Sequence, residues 1–471
     1  MTAADRPGPD VPPAPTTAEG LRGRLATRVG AWTAGWAFIT ALLLWPALWN
    51  GFPLVYADTG GYLMRPLTGT PSIGRSALYG AWLLAGLPYD FWPDVIVQAG
   101  VTAWLIVAVL RVAGARPLAA MPIGLALAGL TALPIYAAQL MPDVTACWAV
   151  LALFLLAYGR DRIGHGEAAA VAIVLALTIA LHMATLALCL GLVACAAVGR
   201  LVAPRLALPR PRLAATALGL VAGVLLALLS NLAIVGQFAF TPGGKSFLFG
   251  RLLQDGFVAR YLDEHCPDPT IALCPYRKEL PATADEWLWT HASPLYRLGN
   301  WQGYGEESLR IALATLRLYP LAHLEAAAAA TARQLVLFRT TLAVVPENNF
   351  DVLDTFAEQL SPAALARFRA ARQQSERPDV APLNLVHVPA AVLAVGLTAF
   401  GLVRRKTPAP TRMLCATVLI ALLGNAAVCA VFSNPNDRYQ SRMIWLAVLA
   451  AAVVSTSRPA AEGPRPACAI V

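Results

Sequence analysis

The chain has 471 residues, 58% of them hydrophobic and only 13% charged, whereas a soluble domain carries about 25% charge. That balance excludes an ordinary soluble globular fold. Apolar runs free of Asp, Glu, Lys and Arg recur along the chain, and several reach the roughly 20 residues that cross a bilayer. A net charge of +9, with Arg far above Lys, would point to nucleic acid in a soluble protein; here the basic residues flank apolar spans and face anionic lipid, so no nucleic-acid partner is expected.

Residues 1–30 are polar and proline-rich, with Arg22, Arg24 and Arg28 just before the first span. The stretch is too long for the n-region of a signal peptide and no small-residue cleavage site follows, so a disordered cytoplasmic tail and an uncleaved first helix are expected. Residues 31–235 read as a transmembrane module. Span 1 covers about 31–50 and ends in the Trp45, Trp49 belt. A first outer loop, 51–91, contains Ser76 to Ala85, which is too short to cross and suits an interfacial or re-entrant helix. Spans 2, 3 and 4 follow at about 92–110, 117–138 and 142–158. The stretch 168–199, free of fixed charge, would be nearly 50 Å long as one helix, too long for a bilayer of about 30 Å. A break at His182 divides it into spans 5 and 6, and span 7 is about 213–235.

The large polar region 236–382 reads as extracytoplasmic loop and amphipathic helix rather than a sheet domain. Within it, 309–338 repeats apolar positions at helical spacing around Arg317, His323, Glu325 and Arg333, the pattern of a surface-lying helix. Ser361-Pro362 starts another polar helix over 361–377. Residues 383–457 hold spans 8, 9 and 10 at about 383–403, 413–432 and 443–457, and 458–471 form a cytoplasmic tail. Its ending, Cys468-Ala469-Ile470-Val471, matches a prenylation pattern, but a many-span protein needs no lipid anchor.

The expected architecture is all-α, with about ten transmembrane helices and a large extracytoplasmic helical loop. The break at His182 puts Arg111, Arg116, Arg160, Arg162, Arg200, Arg205, Arg210, Arg212 and Arg404-Arg405-Lys406 on the inside. The short outside turns at 139–141 and 182–184 carry no Lys or Arg, as the positive-inside rule requires. It also puts Cys266 and Cys274, eight positions apart in a proline-rich loop, in an oxidising compartment where a disulfide persists. Cys147, Cys189, Cys195, Cys415 and Cys429 lie in apolar spans as small core residues. Only six of the 27 acidic residues fall inside, so polar chemistry is expected at the outer face.

Four stretches carry chemistry. Asp58, in Val55-Tyr56-Ala57-Asp58-Thr59-Gly60-Gly61-Tyr62, sits at the membrane–water boundary, where it can act as a general base or cap a helix starting at Thr59. Asn436-Asp437-Arg438-Tyr439-Gln440-Ser441-Arg442 offers two arginines beside an aromatic at headgroup depth, suited to a lipid phosphate or to a salt-bridged turn between Asp437 and Arg438. His182 stands alone between helices, as a site residue or a hydrogen-bonded packing residue, and Asp143 opens a span as a helix starter or a second acid. Thr241-Pro242-Gly243-Gly244-Lys245-Ser246 echoes a phosphate-binding loop, but Ala239 stands where the pattern wants Gly and no strand precedes it, so it reads as a loop. Lys245, Arg251 and Arg260 beyond it are further groups able to face an anion.

This layout resembles the GT-C superfamily of membrane glycosyltransferases, such as protein mannosyltransferases and lipid A aminoarabinose transferases. Asp58 matches the position of the acid those enzymes carry directly after helix 1, segment 62–85 resembles their interfacial helices, and spans 1–7 resemble their shared module. Asp437-Arg438-Tyr439 is similar to a stretch in a late outer loop of such enzymes. The resemblance implies an inverting transfer of a sugar from a polyprenyl-phosphate carrier to an extracytoplasmic acceptor, at the outer face of a bacterial inner membrane. Asp58 would be catalytic; Arg438, Arg442 and His182 would hold the donor phosphate; Tyr56, Tyr62, Asp143 and Tyr439 would line the site. Many members carry paired acids in the first loop. Asp58 has no acidic neighbour, so no metal is expected, and no cofactor. The partners are the lipid-linked sugar and membrane lipids, with no protein partner specified. A transporter or flippase of a lipid-linked solute, and a non-enzymatic envelope assembly protein, are the alternatives.

Overall fold

The computed structural model describes residues 17–70, 73–206, 209–342 and 350–456. Among these, regular structure is helical throughout, apart from an isolated parallel bridge between Leu54 and Gln139. The N-terminal part contains α1 (Thr17–Asn50), α2 (Thr59–Thr68), α3 (Ala77–Gly86), α4 (Trp92–Val112), α5 (Ala120–Leu130), α6 (Leu133–Ala137), α7 (Thr145–Tyr158), α8 (His165–Leu181), α9 (Ala184–Leu206) and α10 (Ala214–Val235). The middle holds α11 (Gly244–Gln254), α12 (Phe257–His265), α13 (Ala284–Trp289), α14 (Pro294–Arg297), α15 (Asn300–Gly303), α16 (Gly305–Leu318) and α17 (Pro320–Leu335). Then come α18 (Phe350–Gln359), α19 (Pro362–Ala370), α20 (Arg372–Ser375), α21 (Asn384–Val403), α22 (Ala409–Phe432) and α23 (Asp437–Thr456).

Among the described residues, six helices are long and apolar enough to cross a membrane, within α1, α4, α9, α10, α21 and α22. Three shorter apolar helices end at Leu130, Tyr158 and Leu181. Helices α9, α10 and α21 present large apolar side chains outward, among them Leu190, Leu218, Leu225, Leu393 and Phe400. A soluble surface does not sustain such a belt, whereas lipid does. By contrast, α7 is buried from Thr145 to Ala157 and α23 from Gln440 to Ala451. These two are the central helices, apolar all round because neighbours cover every face. Both begin at the same end of the bundle, with Asp143 just before α7 and Arg438 and Arg442 in the first turns of α23.

Several boundaries differ from the sequence reading. The first helix starts at Thr17, so residues 17–30, expected as disordered tail, are helical; the tail 458–471, with Cys468, lies outside the described residues. Span 3 is interrupted at Thr131–Ala132, between α5 and α6. The expected surface helix over 309–338 breaks at Tyr319–Pro320, because a proline cannot continue the helix hydrogen bonding; the second piece, α17, packs along α22. The break at His182 is present between α8 and α9.

The region 236–382 divides by its packing. Helices α11 to α16 enclose their own core around Phe249, Trp287 and Tyr304, beside a Cys266–Cys274 disulfide with Cα atoms 5.7 Å apart. Helices α18 to α20 instead pack on the segment between α1 and α4, with Phe356 stacked on Phe91 at 5.5 Å and Phe368 edge-on to Phe52 at 5.7 Å. Asp90 and Phe91 both adopt positive φ, a strained backbone for non-glycine residues. Arg367 holds that turn through two bonds to Asp90, at 2.5 and 2.8 Å.

The closest tie is made by Gln373. Its side-chain oxygen accepts from the Val55 N–H at 3.0 Å, its amide donates to the Val55 carbonyl at 2.8 Å, and its own N–H donates to Asn50 Oδ1 at 2.7 Å. The side-chain amide thus pairs with Val55 as a neighbouring strand would, three residues before Asp58. On the other flank the Leu54 N–H donates to the Ala138 carbonyl at 2.9 Å, and the Leu140 N–H to the Leu54 carbonyl at 2.8 Å. Gln373→Leu strips both partners from a buried backbone unit, and each unsatisfied group costs about 1–3 kcal/mol. Thermal unfolding of the purified protein should show a clear fall in Tm; an unchanged Tm would mean the clasp contributes nothing.

Candidate functional site

The site forms where the loops before α2 and α7 meet the start of α23. Asp143 is the anchor. Its side chain is 0% exposed and is gripped by two guanidinium groups. Arg438 donates from Nε to Oδ1 at 3.1 Å and from Nη2 to Oδ2 at 2.6 Å, while Arg442 Nη1 donates to Oδ1 at 2.9 Å. Arg442 is 2% exposed and Arg438 12%. A lone buried charge would be untenable there, and the pairing is what makes burial affordable.

His182 lies behind this pair. Arg442 Nη1 is 3.1 Å from His182 Nε2, and since guanidinium can only donate, Nε2 must be the acceptor. The ring proton then sits on Nδ1 and points to Thr185 Oγ1 at 3.2 Å, an assignment made from the hydrogen-bond network. The imidazole is therefore neutral and fixed. The break in helix geometry after Leu181 is what lets it turn inward, and Ser76 Oγ secures that end of α8 by donating to the Ala180 carbonyl at 2.6 Å.

Asp58 occupies the outer rim. It stands at the N-terminal boundary of α2, but its carboxylate makes no capping bond. Arg75 Nη2 donates to Oδ1 at 3.0 Å, and Arg438 Nη1 approaches Oδ2 at 3.4 Å. Burial opposes ionisation, but Arg75 and Arg438 outweigh it and hold the Asp58 carboxyl below its usual range. At 36% exposure this side chain is the reachable acid, unlike Asp143. Arg438 also stacks over the Tyr56 ring, 3.9 Å from its centroid, so one guanidinium touches both acids and an aromatic face.

The structure brings together nearly every residue singled out from the sequence, in distinct layers. Asp58, Tyr56 and Arg438 form the open layer, and Asp143, Arg442 and His182 the closed one beneath. Tyr62 is buried edge-on to Tyr79 at 5.1 Å, and the Tyr439 hydroxyl pairs with Ser433 Oγ at 3.0 Å. Asp437 accepts from the Arg339 N–H at 2.7 Å, while Arg438 turns inward to the two acids. Lys245 is engaged with Glu306, Arg251 with Asp255 and Arg260 with Glu264. The stretch 241–246 is a loop leading into α11, with Gly243 at φ 76°.

Sequence reasoning missed Arg75, Gln373 and Trp289. Arg75 was detectable, since Arg65 and Arg75 are the only charged residues between Asp58 and Asp90. Trp289, at the end of α13, reaches the rim, where the Arg75 guanidinium lies 5.6 Å from its ring. An apolar cleft of about 630 Å³ lined by Trp32, Trp36 and Trp104 runs along α1 and α4 and shares no residue with the site. Among the described residues no three His, Cys, Asp or Glu side chains converge as a metal site would need.

No family model, no curated protein and no solved structure matches the chain.

Chemically, the open layer presents an ionised carboxylate flanked by two guanidinium groups, with aromatic faces beside it. Such a surface can take a proton from, or orient, a hydroxyl at Asp58 while an anionic group lies against Arg438. The two acids should behave differently on mutation. Asp143→Asn leaves two buried arginines short of charge and should destabilise by about 3–5 kcal/mol, whereas Asp58→Asn should cost a smaller, still measurable amount because solvent partly screens it. Thermal melts of the two variants in parallel check this; equal losses would refute the layering.

A pH series follows from the depressed Asp58 carboxyl. A group whose folded value lies below its unfolded value, about 3.9 for aspartate, stabilises the fold fully above that pH. The contribution is lost as the pH falls through the folded value. The Tm difference between wild type and Asp58→Asn should therefore be constant near neutrality and shrink below about pH 4. A difference that grows on acidification would contradict the ion pairs with Arg75 and Arg438.

Proposed function

We propose that this chain is a membrane glycosyltransferase of the GT-C type, moving a sugar from a polyprenyl-phosphate-linked donor to an extracytoplasmic hydroxyl. The observation that carries the reading is Asp58, half-open in the first loop after α1 and set directly against Arg438 at the mouth of a helical bundle. The acceptor oxygen would attack the anomeric carbon as the bond from that carbon to the phosphate oxygen breaks. The hydroxyl proton goes to Asp58, and the bonding electrons leave with the phosphate. Arg438 meets the charge developing on that phosphate. Arg442 and His182, closed off behind Asp143, act as positioning residues that fix Arg438 rather than as phosphate contacts.

In this reading ten helical segments cross the membrane: α1, α4, α5 with α6, α7, α8, α9, α10, α21, α22 and α23. Helix α23 resembles a span in length, and its charges are those of the site. The orientation is supported by how basic groups gather at the far end of the bundle. There Arg111 pairs with Glu167, Arg162 donates to the Val112 carbonyl at 2.6 Å, Arg212 pairs with Asp161 at 2.6 Å and Arg200 donates to the Pro211 carbonyl at 2.8 Å. That end suits the cytoplasmic face of a bacterial inner membrane, with Asp58 outside.

One observation favours a second reading, a flippase of a lipid-linked solute. The helix break at His182 lies against the Arg442–Asp143 pair, and broken helices beside charged groups are a feature of transporters. Mass spectrometry of co-purifying lipids separates these readings from an assembly protein. Wild type should retain a polyprenyl phosphate or its glycosylated form, and Arg438→Ala should lose it. Bulk phospholipid alone in both samples would sink the donor site. With a donor in hand, Asp58→Asn should abolish sugar transfer, a loss of at least the 10²–10⁴-fold typical of general bases; unimpaired transfer would remove Asp58 from the chemistry, and lipid movement without turnover would favour the flippase.

A further inference from the structure

The cleft along α1 and α4 is built from two matching stripes. On α1, Val29, Trp32, Thr33 and Trp36 stand at i, i+3, i+4 and i+7, one face of the helix. On α4, Val97, Gly100, Val101 and Trp104 repeat that spacing, and Arg111 carries the stripe into the last turn. Where the stripes meet, Gly100 leaves room for an aromatic ring. Trp36 Nε1 donates to the Gly100 carbonyl at 2.9 Å, and its ring carbon Cζ2 lies 3.8 Å from where a Gly100 Cβ would stand. The Thr33 hydroxyl donates to the Val29 carbonyl at 3.1 Å. Both polar groups are thus spent inside the protein, and the walls offer chiefly hydrocarbon and ring faces.

Charge is confined to one end. There Arg111, in the last turn of α4, pairs with Glu167, in the first turn of α8, and both line the cleft. Neither side chain is closed off, at 34% and 19% exposure. Glu167 engages Nη2 of Arg111, while Nε is buried without an acceptor. A guanidinium carries five donors, and a buried one left unmet is costly. From Val97 to Arg111 the cleft runs about 21 Å along α4 at about 1.5 Å per residue, enough for an acyl chain of one leaflet in a hydrocarbon core about 30 Å thick. Its volume, about 630 Å³, is that of a ligand site.

We infer that this cleft binds one phospholipid of the leaflet at the Arg111 end, with a zwitterionic, amine-bearing headgroup of the phosphatidylethanolamine kind. The inference does not rest on the transferase reading; it needs only that the bundle lies in a membrane. An apolar trough with charge at one end fits an amphiphile, acyl chain over the tryptophans and headgroup at the ion pair. The headgroup follows from the two charges. A phosphate is the forked acceptor that Arg111 lacks. A purely anionic headgroup would bring that phosphate beside Glu167 with nothing to offset the repulsion. Ethanolamine adds an ammonium that donates to Glu167, so the four charges alternate, whereas choline has no N–H to donate.

The test is native mass spectrometry of the full chain in detergent, offered equal amounts of phosphatidylethanolamine, phosphatidylcholine and phosphatidylglycerol with the same acyl chains. Wild type should retain one phosphatidylethanolamine roughly tenfold over the other two, the worth of one charge-assisted hydrogen bond. Arg111→Gln should remove that preference. Glu167→Gln should shift it to phosphatidylglycerol, because the repelling carboxylate is gone. Val97→Trp fills the trough from a half-exposed position without touching the ion pair, and should lower retention of all three lipids. If Arg111→Gln does not fold, the other two variants decide. Equal retention of the three headgroups by wild type would overturn the site, leaving a trough that takes any acyl chain. So would a wild-type preference for phosphatidylglycerol, or an ethanolamine preference that survives Glu167→Gln or Val97→Trp.

Discussion

The site depends on one buried carboxylate. Asp143 has no access to solvent, and its oxygens are shared between Arg438 and Arg442. Arg438 and Arg442 are four residues apart on one helix, so a single acid ties down one full turn of α23. That geometry sets the start of α23 level with the start of α7 and leaves little freedom for either to slide. Cys147 reinforces the register a turn further in, its thiol donating to the Arg442 carbonyl at 3.0 Å. With both ends of its guanidinium fork spoken for, Arg438 keeps one edge free to meet Asp58 and the Tyr56 ring.

Stiffness below and openness above follow from this division. The lower layer is closed to solvent; the upper one keeps an acid within reach of it. Asp58 is held on one side by Arg75 and on the other by Arg438, so an anion reaching this layer would compete with the carboxylate for the same donors. Under the proposed function, that competition would loosen Asp58 when an anionic substrate docks, making the base more available with substrate than without it. The surrounding hydrogen bonds from Gln373, Ser76 and Leu54 keep the backbone still while those side chains exchange partners.

Much of this was legible in the sequence, for identifiable reasons. Charge is so rare in the apolar stretches that Asp58, Asp143, His182, Arg438 and Arg442 stand out without any structure, and length alone demanded a break near His182. The expected disulfide followed from two cysteines in a polar loop. What sequence reasoning could not supply was pairing over long separations. Nothing local says that Arg438 turns to Asp143 rather than to its neighbour Asp437, or that Asp58 gives up a capping role for two guanidinium groups. Gln373 looks like one more polar residue on a polar helix; its importance comes from a backbone 318 positions away. The region 236–382 read as one loop because its two packing partners, its own aromatic core and the first outer loop, are invisible to periodicity.

The clasp between Val55 and Gln373 has a consequence for how the molecule is made. Chains emerge from the ribosome N-terminus first, so the segment 51–91 is released long before the segment that grips it. Throughout that interval the loop has neither Gln373 nor Phe356 and Phe368 to pack on, and Asp58 lacks Arg438, which lies 380 positions downstream. The acid is in place early, and it gains its full electrostatic setting only once α23 is made. A nascent or truncated chain therefore carries Asp58 without Arg438, and completion of the C-terminal part is what assembles the charged cluster.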